Sequence, residues 1–206
     1  MTGPPAAAEL FRLSREELLA LAPVPPEAIA HGVGSDVDGD LDILWAVAHQ
    51  LAPEVAIELG TRQGLSTRTL AHAMRAAGCG SRLMTIDPDP GCRTYLQGVD
   101  CVFLPMTGER AYDHRALARL PGVDLLFVDT DPHTYEQTRM WLYTWVLRRL
   151  RAGGVAAFHD IVAARPEIRV RDAVLDFISH EAQGWGWHEY PSPRGGHGIG
   201  LLWRMA

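Results

Sequence analysis

From Pro53 onward, short apolar runs alternate with stretches of helical period. "EVAIEL" (54–59), "SRLMTID" (81–87), "DCVFLP" (100–105), "VDLLFVD" (123–129) and "GVAAFHD" (154–160) each read as a strand, and Leu125 to Val128 is continuously apolar, as in a strand buried on both faces. Between them, "STRTLAHAMRAA" (66–77) and "TYEQTRMWLYTWVLRRL" (134–150) predict helices, the second stopping before Gly153-Gly154. "RVRDAVLDFISHEA" (169–182) predicts another helix, and "WGWHEY" and "GIGLLWRM" a terminal pair of strands. Before Pro53 the chain is helical in pieces. "SREELLALA" opens on Ser14 with Glu17 three residues later, a capping-box pattern. Pro23, Pro25 and Pro26 predict a turn and a short second helix, and "SDVDGDLDILWAVAHQLA" predicts an acidic turn and a helix that buries Leu41, Ile43, Leu44, Val47 and Ala48 on one face.

Strands separated by helices imply a parallel sheet, and right-handed crossovers make it a doubly wound α/β sandwich. At 206 residues the chain has the length of a single domain (1–206), with residues 1–50 as a helical cap on a 51–206 core. Hydrophobic content of 47% and charged content of 21% are ordinary for a soluble protein. A formal charge of −6 and the lack of a basic stripe argue against a nucleic-acid partner. Three cysteines without metal-type pairing fit a reducing cytoplasm. "MTGPPAAAELF" lacks the regions of a signal peptide, and no apolar run is long enough to span a membrane. A cytoplasmic location is therefore expected.

"VAIELGTRQGLSTRTL" places a glycine turn between the first strand and its helix, where such a sheet binds ligands. Gly60 and Gly64 permit a tight turn and a close ligand, and the N–H groups of Leu65, Ser66 and Thr67 could face a polar group. Arg62 and Leu65 stand where a dinucleotide fingerprint needs glycine, and no Gly-Lys-Ser/Thr follows. The bland reading is a plain strand-to-helix connection. Asp87 closes the second strand, where an acid can accept both hydroxyls of a ribose.

The order of Glu58, the glycine turn and Asp87 resembles a class I S-adenosylmethionine-dependent methyltransferase. Within that group the chain is most similar to the small O-methyltransferase-like (methyltransferase 24-type) family, whose turn reads E-[IL]-G-T-x-x-G-x-S and whose fourth and fifth strands end in D-x-D-x-x-Y-like and H-D motifs. The likeness covers roughly residues 40 to 204. It implies a Rossmann-like, mostly parallel seven-stranded sheet and S-adenosyl-L-methionine as cofactor. By the same resemblance Glu58, Gly60, Thr61, Gly64 and Ser66 lie under the methionine part of the cofactor, Asp87 on its ribose, Thr107 at the adenine edge with Met106 as a packing surface, and Asp129 between cofactor and acceptor. Arg62 departs from the glycine common in such enzymes.

Asp129 and Asp160 end neighbouring strands, with Asp131, His133 and His159 nearby. Oxygen ligands from two strand ends would suit Mg²⁺, whereas a histidine beside Asp160 better suits another divalent metal or proton transfer. Without a metal, His133 or His159 would be the general base, since imidazole titrates near ~6.5. Capping of the next helix by Asp131 or Thr134 is the structural alternative. His49, His72 and His180 read as surface or boundary residues, and His197 as a turn residue or part of the substrate mouth. Trp141 and Trp145 suit the core or an interface, and Arg148, Arg149 and Arg151 the end of a helix. The function expected is methyl transfer to a hydroxyl of a small molecule, such as a natural product or sugar, by a protein that could form a homodimer. Alternatives are a non-methylating relative that binds the same cofactor (a cyclase or regulatory binding protein) and a metal-dependent hydroxylase-like or nucleotide-sugar enzyme.

Overall fold

Alternate residues of the central strands enter two separate cores. Ala56, Leu125, Phe127, Val155 and Ala157 face one side, while Val55, Ile57, Leu126, Val128, Ala156 and Phe158 face the other, and all are buried. This double burial explains why the strands read as apolar runs without alternation. The computed structural model describes residues 7–25, 36–78, 82–162, 165–181, 184–195 and 197–205. The sheet contains β1 (Val55–Leu59), β2 (Arg82–Asp87), β3 (Val102–Pro105), β4 (Val123–Val128), β5 (Leu150–Val162), β6 (Trp185–Tyr190) and β7 (His197–Arg204). Their spatial order is β3-β2-β1-β4-β5-β7-β6. β1 to β5 pair in parallel, and β7 runs antiparallel to both β5 and β6.

The helices are α1 (Ala7–Leu10), α2 (Arg15–Leu21), α3 (Leu41–Leu51), α4 (Leu65–Ala76), α5 (Gly108–Tyr112), α6 (Arg115–Ala118), α7 (Tyr135–Trp141), α8 (Leu147–Arg149) and α9 (Val170–His180). The Ser14–Glu17 capping box is present in both directions at α2. The short helix expected after Pro26 falls outside the described residues. α3 buries more than one face: Trp45 and Ala46 are buried with the five expected positions, in a cluster that also takes Leu10, Phe11 and Leu18 from the N-terminal helices. Phe11 packs on Trp203 with ring centroids 5.8 Å apart.

Two expected boundaries moved. The helix predicted over 134–150 is interrupted by a π turn, Leu142–Val146, between α7 and α8. There the Thr144 hydroxyl donates to the Met140 carbonyl at 2.6 Å, competing with the regular helical ladder. Strand β5 begins at Leu150, which pairs with Val123. The ladder then skips to Leu125 opposite Val155, so Gly153 (φ +76°) sits in a bulge of β5, the helix having ended at Arg149, before the glycine pair as expected. Trp141 and Trp145 are core residues. Arg149 donates to the carbonyls of Tyr112 and Leu117 and lies over the Tyr112 ring, and Arg151 pairs with Asp124, roles more specific than a helix terminus requires. No helix among the described residues is long and apolar enough to cross a membrane.

Indole rings fill the space above two glycines of the β6–β7 pair. A Cβ at Gly186 would lie 2.1 Å from Trp203, and one at Gly200 would lie 1.9 Å from Trp187. Gly186→Val should therefore destabilise the protein by about 1–3 kcal/mol through overpacking, read as a lowered urea midpoint at constant slope.

Candidate active site

The spatial order reverses between β1 and β4, so a crevice opens at their carboxyl ends. Two contacts hold that crevice. The Asp129 N–H donates to the Leu59 carbonyl at 2.9 Å, and the Asp129 carbonyl lies 1.9 Å from where a Cβ on residue 60 would stand. Gly60, at φ +97°, is thus required by both conformation and space. Beyond it, the N–H groups of Thr61 and Arg62 donate to one oxygen of Asp87, each at 3.0 Å, and the other oxygen accepts from the Asp89 N–H at 2.9 Å. Gly64, also left-handed, opens α4.

Beside this turn lies a cleft of roughly 190 Å³ lined by Arg62, Asp129, Asp131, His133, Asp160, Arg165, Ile168 and His197. Asp160 is its hub. Its Oδ2 lies 3.1 Å from His133 Nε2, and its Oδ1 contacts His197 Nδ1. Suitable atoms of Asp129, His133 and Asp160 lie within 4.8 Å of one another, as do those of His159, Asp160 and His197. Arg62, His133, Asp160 and His197 all have φ between 45° and 61°. Left-handed backbone is uncommon for such residues, and four of the five cases among the described residues line this one cleft.

A family model described as a methyltransferase domain matches residues 57–161, just over half of the chain, from β1 through the His159–Asp160 pair. The chain belongs to this methyltransferase family. Among solved structures, the methyltransferase is similar to a Klebsiella pneumoniae protein described as a candidate O-methyltransferase, with 21% identity and TM-score 0.63 over 100% of this chain and 92% of that one. It also resembles the Bacillus cereus O-methyltransferase in complex with S-adenosylhomocysteine, with 18% identity and TM-score 0.64 over 91% and 89%. A third is the Streptomyces achromogenes O-methyltransferase TomG, involved in tomaymycin synthesis and bound to S-adenosylmethionine, with 17% identity and TM-score 0.62 over 100% and 92%. At these identities the likeness carries the fold. No curated protein sequence matches the chain. The family model makes it a methyltransferase, and its architecture is the Rossmann-like α/β fold that these neighbours share.

The sites expected for this methyltransferase fall into three groups. Gly60, Thr61, Gly64 and Asp87 form the turn, although Thr61 also bonds Thr85 through its hydroxyl. Glu58 and Ser66 lie behind the turn: the buried Glu58 carboxylate accepts hydrogen bonds from the hydroxyls of Ser66, Thr67 and Thr85. Thr107 lies apart from the acid cluster, at the end of β3, where it caps α5. Asp129, His133 and Asp160 meet in the cleft, while His159 stands behind them, buried, with Nδ1 3.2 Å from Asp129 Oδ1. Asp131 is 84% exposed along its side chain, and Thr134 caps α7, which settles the capping alternative. His197 is in the cluster and not merely in a turn. Asp40, 3.5 Å from His159 Nε2, has no signal in a local motif.

Burial and opposite charge pull these groups apart. Burial alone would lower the His159 pKa, but Asp129, Asp40 and Asp160 together hold it well above its ordinary value. Burial would raise the Asp129 pKa, yet His159 first, then His133 and Arg62, keep it below the usual carboxylate value. Among the described residues Glu58 has no such cation. Burial pushes it from 4.5 up to about 7, against the three hydroxyl donors. Because its folded pKa is raised, its contribution to stability is fully present below the unfolded value and is lost as pH rises through about 7. Glu58→Gln should flatten this dependence, removing a change of about 3 kcal/mol between pH ~4.5 and ~7 as measured by urea unfolding across that window.

Proposed function

We propose that this protein transfers the methyl group of S-adenosyl-L-methionine to a hydroxyl of a small, polar acceptor held in the acid and histidine cleft. One observation carries the proposal: ionisable side chains from the ends of β4, β5 and β7 converge, on left-handed backbone, directly beside the glycine turn. The turn provides the cofactor site, with Asp87 for the ribose hydroxyls. Gly60, Thr61 and Gly64 approach the methionine portion, and Thr107 lies toward the adenine. Glu58 and Ser66 brace the turn from behind. A lining that is almost wholly charged, with Ile168 as its aliphatic member, favours a sugar-like or polyhydroxylated natural product over a large flat ring.

In the transfer, the acceptor oxygen attacks the methyl carbon as the carbon–sulfur bond breaks, and the bonding pair stays on sulfur. The cofactor supplies the reactivity, and the protein aligns oxygen, methyl and sulfur. His133 takes the hydroxyl proton, and Asp160, 3.1 Å from its Nε2, fixes the ring and stabilises the cation that forms. Asp129 faces the reacting centre, and His159 behind it keeps that carboxylate ionised and in place.

The same donors support a second reading. Two carboxylates and an imidazole within 4.8 Å fit a divalent transition ion better than Mg²⁺, with Asp129, Asp160 and His133 as ligands. Such an ion would supply Lewis acidity that lowers the pKa of an acceptor hydroxyl.

The test combines calorimetric titration of S-adenosylhomocysteine with transfer of radiolabelled methyl to a panel of sugars, polyols and catechols, with and without chelator. Binding and turnover unaffected by EDTA are expected. His133→Ala should lower turnover ~10²–10⁴-fold while S-adenosylhomocysteine binding is retained. Activity abolished by EDTA and restored by Mn²⁺ selects the metal reading. Tight cofactor binding without methyl transfer to any hydroxyl supports a non-methylating relative, and absence of binding ends the proposal.

A further inference from the structure

Asp40 occupies the N-cap position of α3, where an aspartate normally accepts a bond from the first helical N–H groups. It makes no such bond, and the side chain turns inward instead and is fully buried. Its Oδ2 accepts from the Gly198 N–H at 3.2 Å and faces His159 Nε2 at 3.5 Å. Its Oδ1 is buried without a hydrogen-bond donor, 3.7 Å from an Arg15 guanidinium nitrogen. His159 Nε2 is likewise buried and has no closer polar partner. The other ring nitrogen faces Asp129 at 3.2 Å, and the ring lies flat against His197, with centroids 5.6 Å apart and planes 3° apart. Arg15 fastens the outer end by donating to the Gly39 carbonyl at 2.7 Å and binding Asp42 through two nitrogens.

We infer that Asp40 is a positioning residue of the active site: it holds His159 by Nε2 so that Nδ1 orients the Asp129 carboxylate toward the transferred methyl. A carboxylate that abandons its helix cap to face a buried imidazole is poorly explained by helix stability alone. Both nitrogens of an imidazole must be engaged to fix the ring, and a carboxylate on the remote nitrogen does this for a histidine whose near nitrogen serves the site. The 36–42 segment, clamped by Arg15, thereby becomes part of the catalytic apparatus and not only a lid over the sheet. The consequence for turnover rests on the methyl-transfer reading above, but the placement of the ring does not.

The decisive experiment records ring ¹⁵N–¹H correlations of His159 in the full chain and in Asp40→Asn, with S-adenosylhomocysteine titration as a control. In the wild-type protein Nε2 should carry a proton directed at Asp40. In Asp40→Asn the oxygen that receives the Gly198 N–H also faces Nε2, so the contact is kept in shape while the charge opposite the ring is lost. The Nε2–H resonance should then shift and exchange faster with water, with S-adenosylhomocysteine affinity unchanged. On any acceptor turned over by the wild type, kcat should fall about 10-fold while KM for the methyl donor is unchanged. A bare Nε2 in the wild type, an identical ring pattern in both proteins, or an unchanged kcat overturns the inference. Failure of S-adenosylhomocysteine to bind the wild type would instead overturn the methyl-transfer reading. Should Asp40→Asn fold poorly, Arg15→Gln serves as the second variant: weakened Nε2 protonation supports the chain of contacts, and an unaltered ring spectrum opposes it.

Discussion

The carbonyl oxygen of Asp129 stands where the side chain of any residue but glycine at position 60 would be, and the site depends on that contact. It presses the end of β4 against the turn after β1, so the chain must leave β1 sideways and open the crevice. Once Asp129 is fixed there, register does the rest. Val128 pairs with Phe158, which carries His159 and Asp160 to the same edge. β7 runs antiparallel beside β5, so its first residue, His197, arrives at that edge too.

Two acids in this small region, Glu58 fully buried and Asp129 partly exposed in the cleft, are handled in opposite ways. Glu58 is surrounded by hydroxyl donors without a cation, and burial carries it to about 7, poised between its charged and neutral forms. Asp129 is held below the usual carboxylate value, chiefly by the His159 ring behind it. A buried ion is tolerated when paired, and the pair then fixes geometry that neutral groups would leave looser. The cluster's charges thus organise one another, whereas Glu58 organises the turn through hydrogen bonds alone.

The sequence made the parallel strands legible because burial on both faces writes them as apolar runs, and it made α2 legible through its capping box. Asp129, His133 and Asp160 could be found because strand ends in a doubly wound sheet share an edge. Other features had no local signature. His197, a turn or substrate-mouth residue by sequence, reaches the cleft because β7 reverses direction, and nothing in the acidic turn before α3 marks Asp40 as the acid whose side chain turns inward. The early start of β5 has no signal either, because the glycine pair marks the end of the helix while the strand pairing already begins at Leu150. The π turn in the long helix was equally hidden, since its residues keep an ordinary helical composition.

One bond at the site closes a long stretch of chain: the Gly198 N–H meets the Asp40 carboxylate across 158 positions of sequence. Contacts of such separation incur the loop-closure cost of the intervening chain and form only after nearer pairings have shortened it. The sheet can propagate strand by strand, but the imidazole of His159 gains both of its carboxylates only when distant parts of the chain have met. The order of the cleft in this architecture therefore depends on contacts between parts of the chain far apart in sequence. A partly assembled molecule would own a recognisable sheet and glycine turn yet lack an ordered cleft.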